Sequence, residues 1–141
     1  MVVVEVSWKD WNDEILRSPI LTLVYFWHER CPWCRRFTPI FESLAAEYDG
    51  KVKFAKINVL ESEGNRELAE DLGVMGTPTL IFFCEGRPLM YLVGFMPKEE
   101  LKRTINDMLG RYRSCLTQST TLKRLYRLTA RFICAHFHQI F

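Results

Sequence analysis

Apolar residues along this chain alternate between two spacings, one typical of strands and one of helices. Val2-Val3-Val4-Glu5-Val6 is short, β-branched and followed by a polar break, which predicts a strand. Ser7-Trp8-Lys9-Asp10 has capping-box spacing with Asp in the usual Glu or Gln place. Trp8, Trp11 and Ile15 then recur at i, i+3 and i+7, one face of a helix that Pro19 closes. Ile20 to Trp27 is almost continuously apolar, the pattern of a strand buried on both faces in a parallel sheet. A second helical period begins near Cys31 and runs through Phe37, Ile40, Phe41, Leu44 and Tyr48 to a stop at Gly50. Pro39 lies inside it, removes one backbone donor, and is expected to kink it.

Val52 to Ile57 alternates with period two and predicts a third strand. Glu63 to Leu72 is polar and helical, with Leu68, Ala69 and Leu72 on one side and Gly73 as C-cap. Thr79–Cys84 and Leu89–Val93 flank Glu85-Gly86-Arg87-Pro88 and predict an antiparallel hairpin. A last helix starts at Pro97, carries Leu101, Ile105, Met108 and Leu109 on one face, and is expected to end at Gly110. The order β-α-β-α-β-α-β-β-α predicts an α/β fold, a mixed central sheet flanked by helices on both faces.

Composition narrows the picture. With 141 residues, 48% of them hydrophobic, the chain has room for one ordinary domain and enough apolar residues to argue against disorder. No run of 18 uncharged apolar residues occurs, so no transmembrane helix is expected. The first residues lack a basic segment, a long apolar stretch and a small-residue cleavage site, so they do not read as a secretory signal. Five cysteines, only two of them closely spaced, do not make a disulfide scaffold, and a reducing cytoplasm is the expected compartment. The formal charge of +2 hides an asymmetry: residues 111–141 carry six Lys or Arg and no acid, which leaves residues 1–110 net acidic. That break predicts a domain over 1–110 and a basic extension over 111–141.

Cys31-Pro32-Trp33-Cys34 falls where an apolar strand meets a helix. The first turn of a helix offers unpaired N–H groups and the positive end of the macrodipole, and both stabilise an anion. A cysteine there is expected to have its pKa below the free value of about 8.5, and the thiolate is the nucleophile of disulfide exchange. A second thiol one turn on can close the pair and release a bound partner. The motif alone leaves two alternatives, half of a zinc or iron–sulfur site and a structural cysteine pair. A metal site would have to draw on Cys84, Cys115, Cys134, His136 or His138, and Cys134-Ala135-His136-Phe137-His138 does not match a standard zinc spacing.

Phe26-Trp27-His28-Glu29-Arg30-Cys31-Pro32-Trp33-Cys34, Pro39, Ala55-Lys56-Ile57-Asn58, Gly73-Val74-Met75-Gly76-Thr77-Pro78-Thr79 and Val93-Gly94 resemble the thioredoxin family in order and spacing. The resemblance covers residues 1–110. It implies the thioredoxin fold and a thiol–disulfide oxidoreductase, expected to reduce protein disulfides with Cys31 as nucleophile and Cys34 as resolving thiol. It implies no bound cofactor, because the electrons reside on the two sulfurs. The partners it implies are disulfide-bearing proteins and an upstream flavin- or iron–sulfur-dependent reductase. Pro78 matches the family's cis-proline, and Thr77 before it would offer its backbone to an extended substrate strand. Trp27 matches a tryptophan beside the site and is taken with Thr77 and Pro78 as substrate-binding. Glutaredoxins share the Cys-Pro-aromatic-Cys pattern but usually lack an element like residues 2–17 and carry a second glycine where this chain has Phe95.

Two departures from the family bear on chemistry. The buried acid expected two residues before Trp27 is Tyr25, and a phenol with an ordinary pKa near 10 is a poor base at neutral pH. Proton transfer in the resolving step is therefore expected from His28, Glu29, Lys56 or water instead, with Tyr25 retained as a tuning residue. The dipeptide Pro32-Trp33 replaces the family's usual Gly-Pro, which leaves a glutaredoxin-like, oxidase or isomerase variant as the alternative function. In the extension, Leu122, Leu125, Tyr126, Phe132, Ile133, Phe137 and Ile140 recur at helical spacing beside Arg124, Arg127 and Arg131. Packing on the domain or disorder is the expectation there, with docking to a partner or a membrane surface as alternatives and no nucleic-acid binding. Cys84 is expected in the core, and Cys115 and Cys134 as free thiols, with pairing to each other or metal binding with His136 and His138 as the alternative.

Overall fold

Side-chain alternation in the central strand dictates where the helices go. In β2 (Thr22–Trp27), Leu23 and Tyr25 point to one face and Val24 and Phe26 to the other, and all four are fully buried. A strand apolar on both sides needs a layer of cover on each. The computed structural model describes residues 2–112 and 115 and supplies both layers. The helices are α1 (Pro32–Glu47), α2 (Glu63–Asp71) and α3 (Lys98–Arg111). Phe37, Phe41 and Leu44 of α1 and Leu101, Ile105 and Met108 of α3 pack on the Leu23–Tyr25 face. Trp11, Ile15 and Ala69 cover the opposite face, over Val24, Phe26, Ile81 and Phe83.

The remaining strands are β1 (Val3–Glu5), β3 (Lys53–Asn58), β4 (Thr79–Cys84) and β5 (Arg87–Val93), in the sheet order β1-β3-β2-β4-β5. β1 and β2 run parallel to β3, β4 is antiparallel to β2, and β5 is antiparallel to β4. The mixed sheet with helices on both faces stands as expected. The register Phe26↔Thr79 brings the end of β2 beside the start of β4, and the functional site forms at that end of the sheet.

Three local expectations change. The helix expected after β1 is a π-helical turn, Asn12–Leu16. The Asp10 carboxylate accepts from the Ser7 backbone and hydroxyl, which holds residues 7–10 as a separate turn. The Arg17 N–H then reaches back five residues to the Asn12 carbonyl. Trp11 and Ile15 are buried all the same, but Trp8, expected on the same face, lies in the preceding turn and is 49% exposed, so the spacing located two of its three core residues and missed the helix type. Gly110 does not end α3, which continues to Arg111 and closes with the Tyr112 N–H on the Met108 carbonyl. The hairpin turn is tighter than four residues: Glu85 and Gly86 both take positive φ (52° and 79°), the pairing of a two-residue turn, and Arg87 and Pro88 already belong to β5.

Candidate active site

β2 delivers the chain to the amino end of α1, and Cys31 is that helix's N-cap. Its φ of −87° and ψ of 109° are extended, while Pro32 at the first helical position has no N–H to leave unpaired. Cys34 sits within the first turn, with its Cα 5.2 Å from that of Cys31, and the two sulfurs are paired as a disulfide. The Cys34 N–H donates to Cys31 Sγ at 3.2 Å, so the helix end is aimed at the first sulfur. Across from it, the Thr77–Pro78 peptide is cis, and the Thr77 carbonyl oxygen lies 3.4 Å from Cys31 Sγ. The Pro78 carbonyl accepts the Gly94 N–H at 2.9 Å, which joins the end of β5 to the same corner. Cys31, Cys34, Thr77 and Pro78, far apart in sequence, are thus brought together.

Beneath the pair, Tyr25 is fully buried, and its hydroxyl donates to the Cys34 carbonyl at 3.1 Å. Thr38 Oγ1 donates to the same carbonyl at 2.8 Å and lies 3.1 Å from the phenol oxygen. Burial raises the Tyr25 pKa above its ordinary value; the Thr38 hydrogen bond pulls it back in part, and the Glu42 charge adds to the rise. Lys56 pairs with Tyr25 across β2 and β3, reaches Glu42 at 4.0 Å, and stands 5.3 Å from the Trp27 ring centre. Trp27 Nε1 is buried with no hydrogen-bond partner among the described residues. His28 takes the Arg30 N–H on Nδ1, while its carbonyl takes the Cys31 N–H. The His28 side chain faces a cleft of about 160 Å³ that Val59, Met75, Gly76 and Thr77 also line.

The rim is apolar. Trp33 is 53% exposed and Met75 99%. The Trp33 ring packs on Phe95 with centroids 5.7 Å apart, and the Arg36 guanidinium sits 5.2 Å from its centre. Phe95 in turn rests on the buried Phe37.

Sequence reasoning missed Thr38, although a threonine one turn after Cys34 is placed to bond back to that carbonyl, and this spacing was the available signal. It also missed Asn65, buried in α2, which takes the Trp8 N–H and donates to the Asn58 carbonyl. One expectation is overturned: Cys115 is not a free thiol but pairs with Cys84, Cα to Cα 6.0 Å. Cys84 is in the core, as expected. Among the described residues no group of three or more His, Cys, Asp or Glu is placed to hold a metal. Cys134, His136, His138 and the amphipathic positions of the extension lie outside the described residues.

A thioredoxin family model matches residues 2–107. The chain is 38% identical over 109 residues to a thioredoxin of Staphylococcus saprophyticus, covering 77% of this chain and all of that protein. It is 42% identical over 87 residues to a thioredoxin of Alicyclobacillus acidocaldarius, covering 62% of this chain and 80% of that one. It is 36% identical over 107 residues to the chloroplastic thioredoxin M4 of Arabidopsis thaliana, covering 76% and 54% respectively.

Proposed function

The chain belongs to the thioredoxin family and is a thiol–disulfide oxidoreductase, and on that premise we propose that it reduces protein disulfides with Cys31 attacking and Cys34 resolving. The redox-active group is the Cys31–Cys34 pair itself. Disulfide-bearing proteins and a reductase that regenerates the dithiol are the partners that membership of the family implies.

One observation carries the assignment of roles: Cys31 Sγ receives the Cys34 N–H from the first turn of α1, whereas Cys34 itself lies deeper within that turn. A thiolate is favoured where a helix end supplies an unpaired donor. The Cys31 thiolate attacks one sulfur of the substrate disulfide, whose other sulfur leaves and takes up a proton. Cys34 then gives up its proton, attacks Cys31 Sγ and expels the second substrate thiol. Two electrons and two protons pass to the substrate, and the Cys31–Cys34 disulfide remains. The Thr77 carbonyl, 3.4 Å from the attacking sulfur, supports the reading that a substrate strand pairs along Thr77 and Pro78. Trp27 is proposed to border that strand, since it follows Phe26, whose partner in β4 is Thr79.

The test is a trapping experiment with a disulfide-bearing reporter protein. Cys34→Ser is expected to accumulate a mixed disulfide through Cys31, and Cys31→Ser to form none and lose reporter reduction. Reduction surviving in Cys31→Ser overturns the assignment.

For the regenerating partner we propose a flavin- or iron–sulfur-dependent reductase, and for the compartment a reducing cytoplasm, where the direction of transfer is toward substrate. Among the described residues no helix is long and apolar enough to cross a membrane. Residues 1–110 are proposed as the catalytic domain and 111–141 as a basic extension that the exchange does not require; a chain lacking the extension is expected to keep the reporter rate.

A further inference from the structure

Cys84 and Cys115 lie far from the active pair, and the sheet topology says how far. β4 starts at Thr79, beside the active site, and ends at Cys84, so the strand's length of about 17 Å separates the two ends. By strand parity Cys84 shares the face of Leu80 and Phe82, the face that α1 and α3 cover. Past the end of α3 the chain makes one further turn, closed by the Cys115 N–H on the Tyr112 carbonyl at 3.0 Å. That turn places Cys115 6.0 Å, Cα to Cα, from Cys84, inside the range a disulfide spans, and both residues are buried.

We propose that Cys84 and Cys115 form a second, structural dithiol–disulfide couple, which when oxidised staples the chain beyond α3 to the end of the sheet remote from the active site. The two sites are unequal. Cys84 is the last residue of a strand that lies between β2 and β5 and pairs there with Arg87 of β5, whereas Cys115 sits in a turn past a helix end, the kind of segment that opens first. Exchange therefore begins at Cys115. Its thiolate attacks a disulfide oxidant, forming a mixed disulfide and expelling one thiol. Cys84 then gives up its proton and attacks Cys115 Sγ, expelling the second. One S–S bond forms and one breaks, and two electrons and two protons pass to the oxidant, here glutathione disulfide or the Cys31–Cys34 disulfide of a second molecule. The molecule's own active pair is at the other end of the sheet and cannot serve. The staple fixes residue 115, and with it the point where the basic residues 116–141 join the domain. The link closes a span of 31 residues containing β5 and α3, so its effect on the unfolded chain is large.

Exchange with a second copy rests on the oxidoreductase reading above, but formation of the staple does not, and the experiment separates them. The full-length Cys31→Ser/Cys34→Ser chain is equilibrated with glutathione disulfide or with dithiothreitol, alkylated while folded, digested and mapped by mass. The expected result is a Cys84–Cys115 linked peptide with Cys134 alkylated, and a melting temperature about 10 °C higher for the oxidised than for the reduced protein. That difference is expected to vanish in the same chain carrying Cys115→Ser, a change at a peripheral turn that leaves the core of β4 intact. Cys115 linked to Cys134 or to glutathione, Cys84 and Cys115 both left as thiols, or equal melting temperatures overturn the proposal. Cys115→Ser in the otherwise native chain is expected to keep its reporter-reduction rate, which separates failure of the staple from failure of the active-site reading.

Discussion

The Tyr25 hydroxyl donates to the backbone carbonyl of Cys34, 3.1 Å away, and so ties the central strand to the first turn of the active-site helix. The same carbonyl takes the Thr38 hydroxyl at 2.8 Å, so both of its lone pairs are used. Burial raises the phenol's pKa and keeps it neutral at physiological pH. The position that the family fills with an acid here contributes a hydrogen bond to the backbone of Cys34 and no negative charge beneath it.

Tyr25→Phe removes one of those two bonds and retains the ring, which packs between Phe37 and Phe41. The expected cost is about 1 kcal/mol in urea unfolding, the usual net value of a hydrogen bond whose acceptor keeps a second partner. Reporter reduction by the folded protein is expected to change less than about threefold, since a neutral phenol accepts no proton in the resolving step. A hundredfold loss with the fold intact would instead place the hydroxyl in the proton path.

Alkaline pH probes the same residue from the other side. Tyr25 and Tyr48 both have raised pKa values, in each case chiefly through burial. Above the ordinary phenol value near 10 the unfolded chain loses these protons while the native state keeps them. The unfolded state then binds fewer protons, so stability falls as pH climbs past that point, whereas neither tyrosine gives a slope between pH 7 and 9. Urea midpoints at pH 9, 10 and 11 are expected to decline, and the decline to be shallower in Tyr25→Phe. An identical slope in the two proteins contradicts the buried-phenol account, because lysine pairs that also weaken in this range are common to both.

Trp33 stands over Phe95 at the rim, largely free to meet a partner. Exposed aromatics beside a reacting group supply contact area that a protein substrate covers and a small disulfide does not. Trp33→Ala is expected to lower kcat/KM for a protein disulfide about tenfold, and for glutathione disulfide about twofold or less. Equal losses on both substrates would show that the ring acts on the sulfurs and not on docking.

Much of this was legible in the sequence because two strong patterns wrote it. The run ILTLVYFW carries the pattern of a strand covered on both faces, and Cys31 to Cys34 follow it where a helical period begins. The π-helical turn was not legible: Trp11 and Ile15 fit the α spacing, and nothing in the residue pattern marks the five-residue reach of the Arg17 N–H to the Asn12 carbonyl. Nor was the Cys84–Cys115 pairing, because the separation of 31 residues closes only through the packing of α3 on the sheet. Thr38 carried a local signal, its spacing of one turn from Cys34, but Asn65 reaches groups on two other segments, which sequence alone does not identify.

Asn65 gives the most demanding test of such a hidden contact. Its side chain takes the Trp8 N–H at 2.9 Å and donates to the Asn58 carbonyl at 3.0 Å, joining α2 to the chain after β1 and to the end of β3. It is buried, so Asn65→Ala leaves the Asn58 carbonyl without a partner in the interior and takes the acceptor from the partly buried Trp8 N–H. At about 1–3 kcal/mol for each group, the expected loss in urea unfolding is about 3 kcal/mol. Asn65→Asp separates the two contacts, since it keeps the acceptor for Trp8 but sets a carboxylate against the Asn58 carbonyl oxygen. That repulsion and burial raise the new acid's pKa in the folded state, so the unfolded chain gives up the proton first as pH rises. Asn65→Asp is therefore expected to lose stability from about pH 4 upward, the range of an ordinary aspartate, whereas Asn65→Ala shows no such pH-dependent loss relative to the native chain. A cost below 1 kcal/mol for Asn65→Ala, or a flat pH profile for Asn65→Asp, would mean that water reaches these groups and that the tie between α2 and the end of β3 is not closed.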